Sequence, residues 1–130
     1  PEGAVVLPEI ISKKPLGPVV RQGDDEWFNI VRWSLFAMLN AEELGVTSAN
    51  VEQLAASSKN PNILRLLGQE GIKGTGMGLN DDWAVNIIKQ VGNYGEIFER
   101  NVGQGSPLKI ARGINQLWNK GGIQYAPPIR

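Results

Sequence analysis

Between Asp24 and Leu44, apolar side chains recur at helical spacing on two adjoining rows. Trp27, Val31, Leu35 and Met38 form one row, and Ile30, Ser34, Ala37, Ala41 and Leu44 form its neighbour. Two such rows cover more than about 100° of the helical wheel, so the helix calls for burial between two layers instead of a place on a surface. Its ends are marked. Asp24, Asp25 and Glu26 set negative charge against the positive end of the helix dipole, and Gly45 can take the left-handed conformation that stops it. Whatever the chain folds into must sandwich this helix, with partners drawn from the chain itself or from outside it.

Composition narrows the chemistry more than the fold. Neither histidine nor cysteine occurs, which removes a Ser-His-Asp or Cys-His unit, a Cys/His zinc site, a thiolate-bound haem or iron–sulfur centre and any disulfide framework. The 13 Lys+Arg balance the 13 Asp+Glu, so no basic field supports a nucleic-acid surface or an anionic membrane patch. The stretch Trp33–Leu39 holds six apolar residues interrupted by Ser34, far short of the roughly 20 that cross a bilayer. With 130 residues, 42% of them apolar and four of them tryptophan, a single domain with a real core is expected. The first residue is Pro1 and no basic segment followed by an apolar run comes after it. We therefore expect that an upstream part has been removed, and such a piece can lack an active site of its own.

Around the long helix the elements are shorter. Ala4–Leu7 and Leu16–Val20 have strand composition, and Pro8, Pro15 and Pro18 confine them to an edge or a hinge. Helices are predicted over Ala49–Ala56, over Pro61–Leu67 with Asn60 as cap, and from Asn80-Asp81-Asp82 to Val91. Gly92 interrupts the last of these, Asn93 restarts it, and residues 93–101 form a short helix. Ser106-Pro107 reads as a cap and first turn for a helix through Leu108, Ile110, Ala111, Ile114, Leu117 and Trp118, stopped by Gly121-Gly122. Glycines at 68, 71, 74, 76 and 78 make an irregular loop, and the tail from Ile123 to Arg130 is extended, with Pro127-Pro128 favouring polyproline II.

Few motifs carry chemistry. Gly74-Thr75-Gly76-Met77-Gly78 lacks the preceding strand, the spacing and the Lys-Ser/Thr pair of a nucleotide loop, and Asp81 and Asp82 would repel a phosphate. The pairs Asp24/Asp25 and Asp81/Asp82 complement helix dipoles, while Glu42/Glu43 reads as a solvated face. A carboxylate-based hydrolase would need Asp81, Asp82 or Glu42 to converge in one pocket. Trp27, Trp33, Trp83 and Trp118, with Tyr94 and Tyr125, are dispersed and read as core or interface residues instead of a stacking platform. Lys13-Lys14 is a turn charge, and Pro127-Pro128 a tail packed over a surface in preference to an SH3-type ligand.

The run from Leu7 to Phe28, containing Lys13-Lys14-Pro15-Leu16-Gly17-Pro18-Val19-Val20-Arg21-Gln22-Gly23-Asp24-Asp25-Glu26-Trp27, resembles a segment of the periplasmic amino-acid-binding proteins, most nearly the general L-amino-acid binders. So do Leu39-Asn40-Ala41-Glu42-Glu43-Leu44-Gly45, Gln90 to Asn101, Ala111-Arg112-Gly113-Ile114-Asn115 and Trp118-Asn119-Lys120-Gly121-Gly122 through Tyr125-Ala126-Pro127-Pro128. The likeness spans essentially the whole chain and concerns the C-terminal portion of such a protein.

That resemblance implies an α+β, mainly helical fragment. It has short N-terminal β-strands and about five helices from lobe one of a two-lobe α/β binding protein, with a helical C-terminal extension. Residues 1–23 would be a β-rich hinge and edge-strand segment, 24–67 the lobe-one helices, 68–79 the glycine-rich loop, and 80–130 the extension with its Pro-rich tail. The implied role is that of a solute-binding subunit of an ABC importer in the periplasm. It would bind a free L-amino acid, hand it to permease membrane subunits, and use no enzyme chemistry, cofactor, metal or nucleic acid. In the family the groups that hold the α-ammonium and the carboxylate lie upstream of Pro1, so no ligand contact is assigned to any residue here. The long helix, stripped of its lobe, would favour self-association of the fragment. The alternative is a stand-alone helical module that binds a protein partner through its tryptophans and Pro-rich tail.

Overall fold

The computed structural model describes residues 3, 5, 7, 9, 11, 12, 16–71 and 73–129. Among the described residues five α-helices carry the architecture: α1 (Asp25–Glu43), α2 (Val51–Ser57), α3 (Pro61–Leu66), α4 (Trp83–Val91) and α5 (Tyr94–Asn101). Helix α1 is the axis, with α3, α4 and α5 laid against it, and α2 bridges α3 and α4. Among the described residues no strand forms. The backbone pairs in one isolated parallel bridge between Leu117 and Gln124.

Local chemistry explains where these helices start and stop. Asp24 Oδ1 accepts the Trp27 N–H at 3.0 Å, which satisfies one of the donors left open at a helix start. At the other end of α1, Gly45 sits at φ 71°. Its N–H donates to the Glu42 carbonyl, and that of Val46 to the Ala41 carbonyl, the paired closure that a left-handed glycine permits. Asn60 accepts the Asn62 N–H at 3.0 Å, with Pro61 in the first helical turn of α3. A reciprocal cap opens α5: Asn93 accepts the Glu96 N–H at 2.9 Å while Glu96 accepts the Asn93 N–H at 2.8 Å.

The core lies around the second half of α1. Ala37, Ala41, Val46, Leu66, Leu67 and Ile88 are buried in one cluster, where small alanines let α3 and α4 come close. Leu39, Leu117 and Ala126 form a second, smaller cluster on another side of α1. The returning tail is thereby part of the fold.

Two expectations need correction. Leu16–Val20 is not a strand, and neither Val5 nor Leu7 lies in one; Ala4 and Val6 of the first expected strand, and Lys13-Lys14 between the two, lie outside the described residues. Strand composition alone does not make a strand, because the backbone groups need a neighbouring strand to bond. The described residues offer none. The helix expected from Ser106 to Trp118 is also absent. Turns occupy that stretch, with single 3₁₀ turns at Gly113–Asn115 and Trp118–Lys120.

Here Lys109 and Gly113 both take φ 48°, so no continuous α-helix can run through the stretch. The backbone bonds go sideways: Ile110 N–H to the Val102 carbonyl, Ile123 N–H to Ile114, and Gln124 N–H to Gln116. Gly122 is required where it stands, since a Cβ there would collide with the Gln116 carbonyl. The described residues of the glycine-rich stretch form turns and bends, with one 3₁₀ turn at Gly74–Met77.

Candidate functional site

The carboxylates singled out in the sequence do not converge. Asp24 caps α1, and Asp82 begins α4. Asp81 pairs with Lys73 at 3.1 Å. Among the described residues no group of three or more His, Cys, Asp or Glu could hold a metal ion, and a pocket of acids for hydrolysis is likewise missing from their arrangement.

Glu42 departs from its expected place on a solvated face. Its side chain is only 10% exposed and meets Arg112, itself 9% exposed, in a two-pronged contact at 2.9 and 3.2 Å. The guanidinium also donates to the Asn115 carbonyl and lies 5.3 and 5.2 Å from the ring centres of Tyr94 and Phe98. Every polar face of the pair is thus occupied, which is what a buried ion pair requires to survive desolvation. It ties α1 to the turn-rich segment 70 residues later and leaves Glu42 no free oxygen for acid–base work. Glu43, one residue on, is exposed and accepts from the Trp118 indole N–H at 3.3 Å.

A second polar network joins α5 to the loop after α1. Glu96 accepts the Ser48 hydroxyl at 2.6 Å and the Ser48 N–H, and the Asn93 amide donates to the Val46 carbonyl at 2.8 Å. Burial works against ionisation of Glu96. The bonds from Ser48 and from the Asn93 and Ser48 backbones, with the Arg100 charge, outweigh it and hold the carboxyl below its ordinary value. These bonds are architectural.

One cleft has the size of a small-molecule or side-chain receptor, about 360 Å³, lined by Asn29, Arg32, Trp33, Lys73, Met77 and Trp83 among others. Helix α1 supplies the first three, the glycine-rich loop Lys73 and Met77, and the start of α4 Trp83. Gly74 makes the loop's approach possible, because a Cβ there would run into the Trp83 ring and the Asn80 carbonyl. Of the aromatics noted in the sequence, Trp33 and Trp83 meet here. Trp118 and Tyr125 form a separate edge-to-face pair, 6.0 Å between centres, on the surface. Trp27 stands exposed. Arg32, Lys73 and Met77 carried no signal in the sequence, although a charge set among the apolar rows of α1 marks where its wheel meets something other than a plain core.

The tail is packed, not presented. Ala126 is buried, and the Pro127 carbonyl accepts from the Asn40 side chain at 2.9 Å, so Pro127-Pro128 does not project as a peptide ligand. No helix among the described residues is long and apolar enough to cross a membrane.

No protein-family model matches the chain. It is 66% identical to the general L-amino acid-binding periplasmic protein of Rhizobium johnstonii over its full length. To the glutamate/glutamine/aspartate/asparagine-binding protein of Rhodobacter capsulatus it is 56% identical over 97% of its length. It spans 38% and 37% of those two relatives. Among solved structures it is similar to an ABC transporter periplasmic binding protein from Brucella ovis with glutathione bound, at a TM-score of 0.91 and 63% identity, covering 97% of this chain and 40% of that one. In sequence and in fold, the chain corresponds to the C-terminal portion of the periplasmic solute-binding proteins of amino-acid ABC transporters.

Proposed function

We propose that these 130 residues are the supporting part of a periplasmic amino-acid-binding subunit of an ABC importer. The full-length protein binds free L-amino acids and delivers them to permease membrane subunits without covalent chemistry. Residues 1–23 serve as the hinge segment, 24–67 as helices of lobe one, 68–79 as the connecting loop and 80–130 as the C-terminal extension. The grip on the solute lies in the preceding part of the protein. The observation that carries this reading is identity of 56–66% across 97–100% of the chain with relatives named for amino-acid binding. The tied state of Glu42 and the scattering of the other carboxylates fit a role in support.

Calorimetry decides it in two arms. The full-length protein is expected to bind L-glutamate or L-glutamine, whereas residues 1–130 alone bind neither. Micromolar binding by the isolated chain would place the site within it, and failure of the full-length protein to bind any free L-amino acid would refute the solute class. Glutathione belongs in the same titration, since the Brucella ovis relative holds it. A protein that takes glutathione and no amino acid would be a peptide binder.

A further inference from the structure

The first half of α1 is rich in large apolar side chains and poorly covered. Trp27 and Phe28 are exposed, Ile30 and Val31 half-buried, and Leu16 and Val19 in the segment leading to the helix are exposed. The cleft of Trp33, Met77 and Trp83 opens beside the same half of the helix. Arg32 sits in the middle of this face. Its guanidinium is held by Asn29 Oδ1 at 2.8 Å and lies 4.9 Å from the Phe28 ring centre, and it pairs with no carboxylate among the described residues.

An apolar face this large, with a fixed and unneutralised cation in it, has the character of an interface. The chain accounts for 40% of the structure it superimposes on and 38% of a curated relative. The greater part of a full-length protein is therefore available as the occupant.

We infer that this face is an interface within the full-length protein: the preceding part of the polypeptide inserts apolar side chains into the Trp33–Met77–Trp83 cleft and presents a carboxylate to Arg32. The inference rests on the full-length reading above, and on nothing about which solute is bound. Charge complementarity selects the incoming chemistry. The cleft offers the unpaired Arg32 and no acidic lining residue, its Lys73 being already matched by Asp81, so an aliphatic or aromatic segment bearing Asp or Glu fits, and a basic one does not.

The absence of cysteine supplies the test. Phe28→Cys, Met77→Cys and, as an exposed reference, Lys59→Cys are made both in residues 1–130 and in the full-length protein, and maleimide labelling rates are measured on dilute samples. Phe28→Cys and Met77→Cys are expected to label about tenfold or more slowly in the full-length protein than in the short chain, with Lys59→Cys unchanged. Equal rates in the two proteins would overturn the inference. So would protection in the short chain that grows with its concentration, which would assign the face to a second copy. The carboxylate is tested separately: Arg32→Gln should lower the Tm of the full-length protein by a few degrees and leave that of the short chain in place, while Arg32→Lys recovers part of the loss. An unchanged full-length Tm in Arg32→Gln would remove the acidic partner. Solute titration reports on a different site, so either reading can fail alone.

Discussion

The two halves of α1 share a helix and a periodicity but not a fate. The first half carries Trp27, Phe28, Ile30, Val31, Trp33 and Leu35, and none of these is buried; the second half buries Ala37, Leu39, Asn40 and Ala41. The less hydrophobic half is the one that reaches the core. Hydrophobic pattern states what a face requires, whereas burial records which neighbours are there to cover it. In the second half α3, α4, α5 and the tail converge, and alanine is the residue that lets them come near.

The sharpest way to break this contrast is to unpair the second half. Arg112→Leu leaves Glu42 buried and uncompensated, so urea unfolding should show a loss of about 3–5 kcal/mol, the scale for breaking one partner of a buried pair. Arg32→Leu in the first half of the same chain should change stability by less than about 0.5 kcal/mol, as an exposed cation does. Comparable losses from the two would mean that α1 is supported evenly along its length.

Packing gives the next effect. Leu39 is 3% exposed and seated on Leu117 and Ala126, and Leu39→Ala should cost about 2–4 kcal/mol through lost contacts and a partly unfilled cavity. Phe28→Ala removes a larger side chain from the first half, yet should shift stability by no more than about 0.5 kcal/mol, because what is lost already faces water. A Phe28→Ala loss as large as that of Leu39→Ala would show that the first half is covered in solution.

Asn40→Ala is expected to matter less than either core change. Its amide donates to the Phe36 and Pro127 carbonyls, both at 2.9 Å. Losing the second bond should cost about 1–2 kcal/mol and release the tail. Limited proteolysis near the C-terminus would then be faster than in the parent chain, with α1 retained by circular dichroism.

Much of this was legible in the sequence, and the gaps have physical causes. Asp24, Gly45, the Asn60-Pro61 pair and the Gly92-Asn93 break fixed the helix ends because capping is chemistry within a few residues. The helix expected over 106–118 failed because its apolar spacing mimicked a helical face, while Lys109 and Gly113 turn the backbone to the left and sideways bonds to residues 102, 123 and 124 compete with helical ones. Leu16–Val20 failed as a strand for want of a neighbour, the same lack that exposes the first half of α1. The Glu42–Arg112 pair and the Arg32–Lys73 cleft join residues from separate elements, and no local pattern reports such meetings. The reciprocal cap of Asn93 and Glu96 could have been read, since an Asn followed three residues later by Glu just before an apolar run is its written form.

That cap supplies the smallest effect and a check on how the second half is tied to α5. In the folded chain Glu96 ionises below its ordinary value, although burial opposes it, because Ser48, the Asn93 backbone and Arg100 favour the charged form. A carboxyl with a lowered folded value binds its proton less readily than the unfolded chain does, so its contribution is present above the unfolded value and fades as pH falls through the folded one. Stability of the parent chain should therefore decline from neutral pH into the acid range more steeply than that of Glu96→Gln, and the gap between the two should close at the acid end. Parallel pH profiles in paired urea titrations would show that the Ser48 and Asn93 bonds do not distinguish the charged carboxylate from a neutral amide. In that case the loop at Val46–Ser48 owes nothing to the charge on Glu96 and is held by the Asn93–Val46 bond and by packing, and the buried half of α1 owes its firmness to Glu42 and Arg112 and to the alanine-lined core.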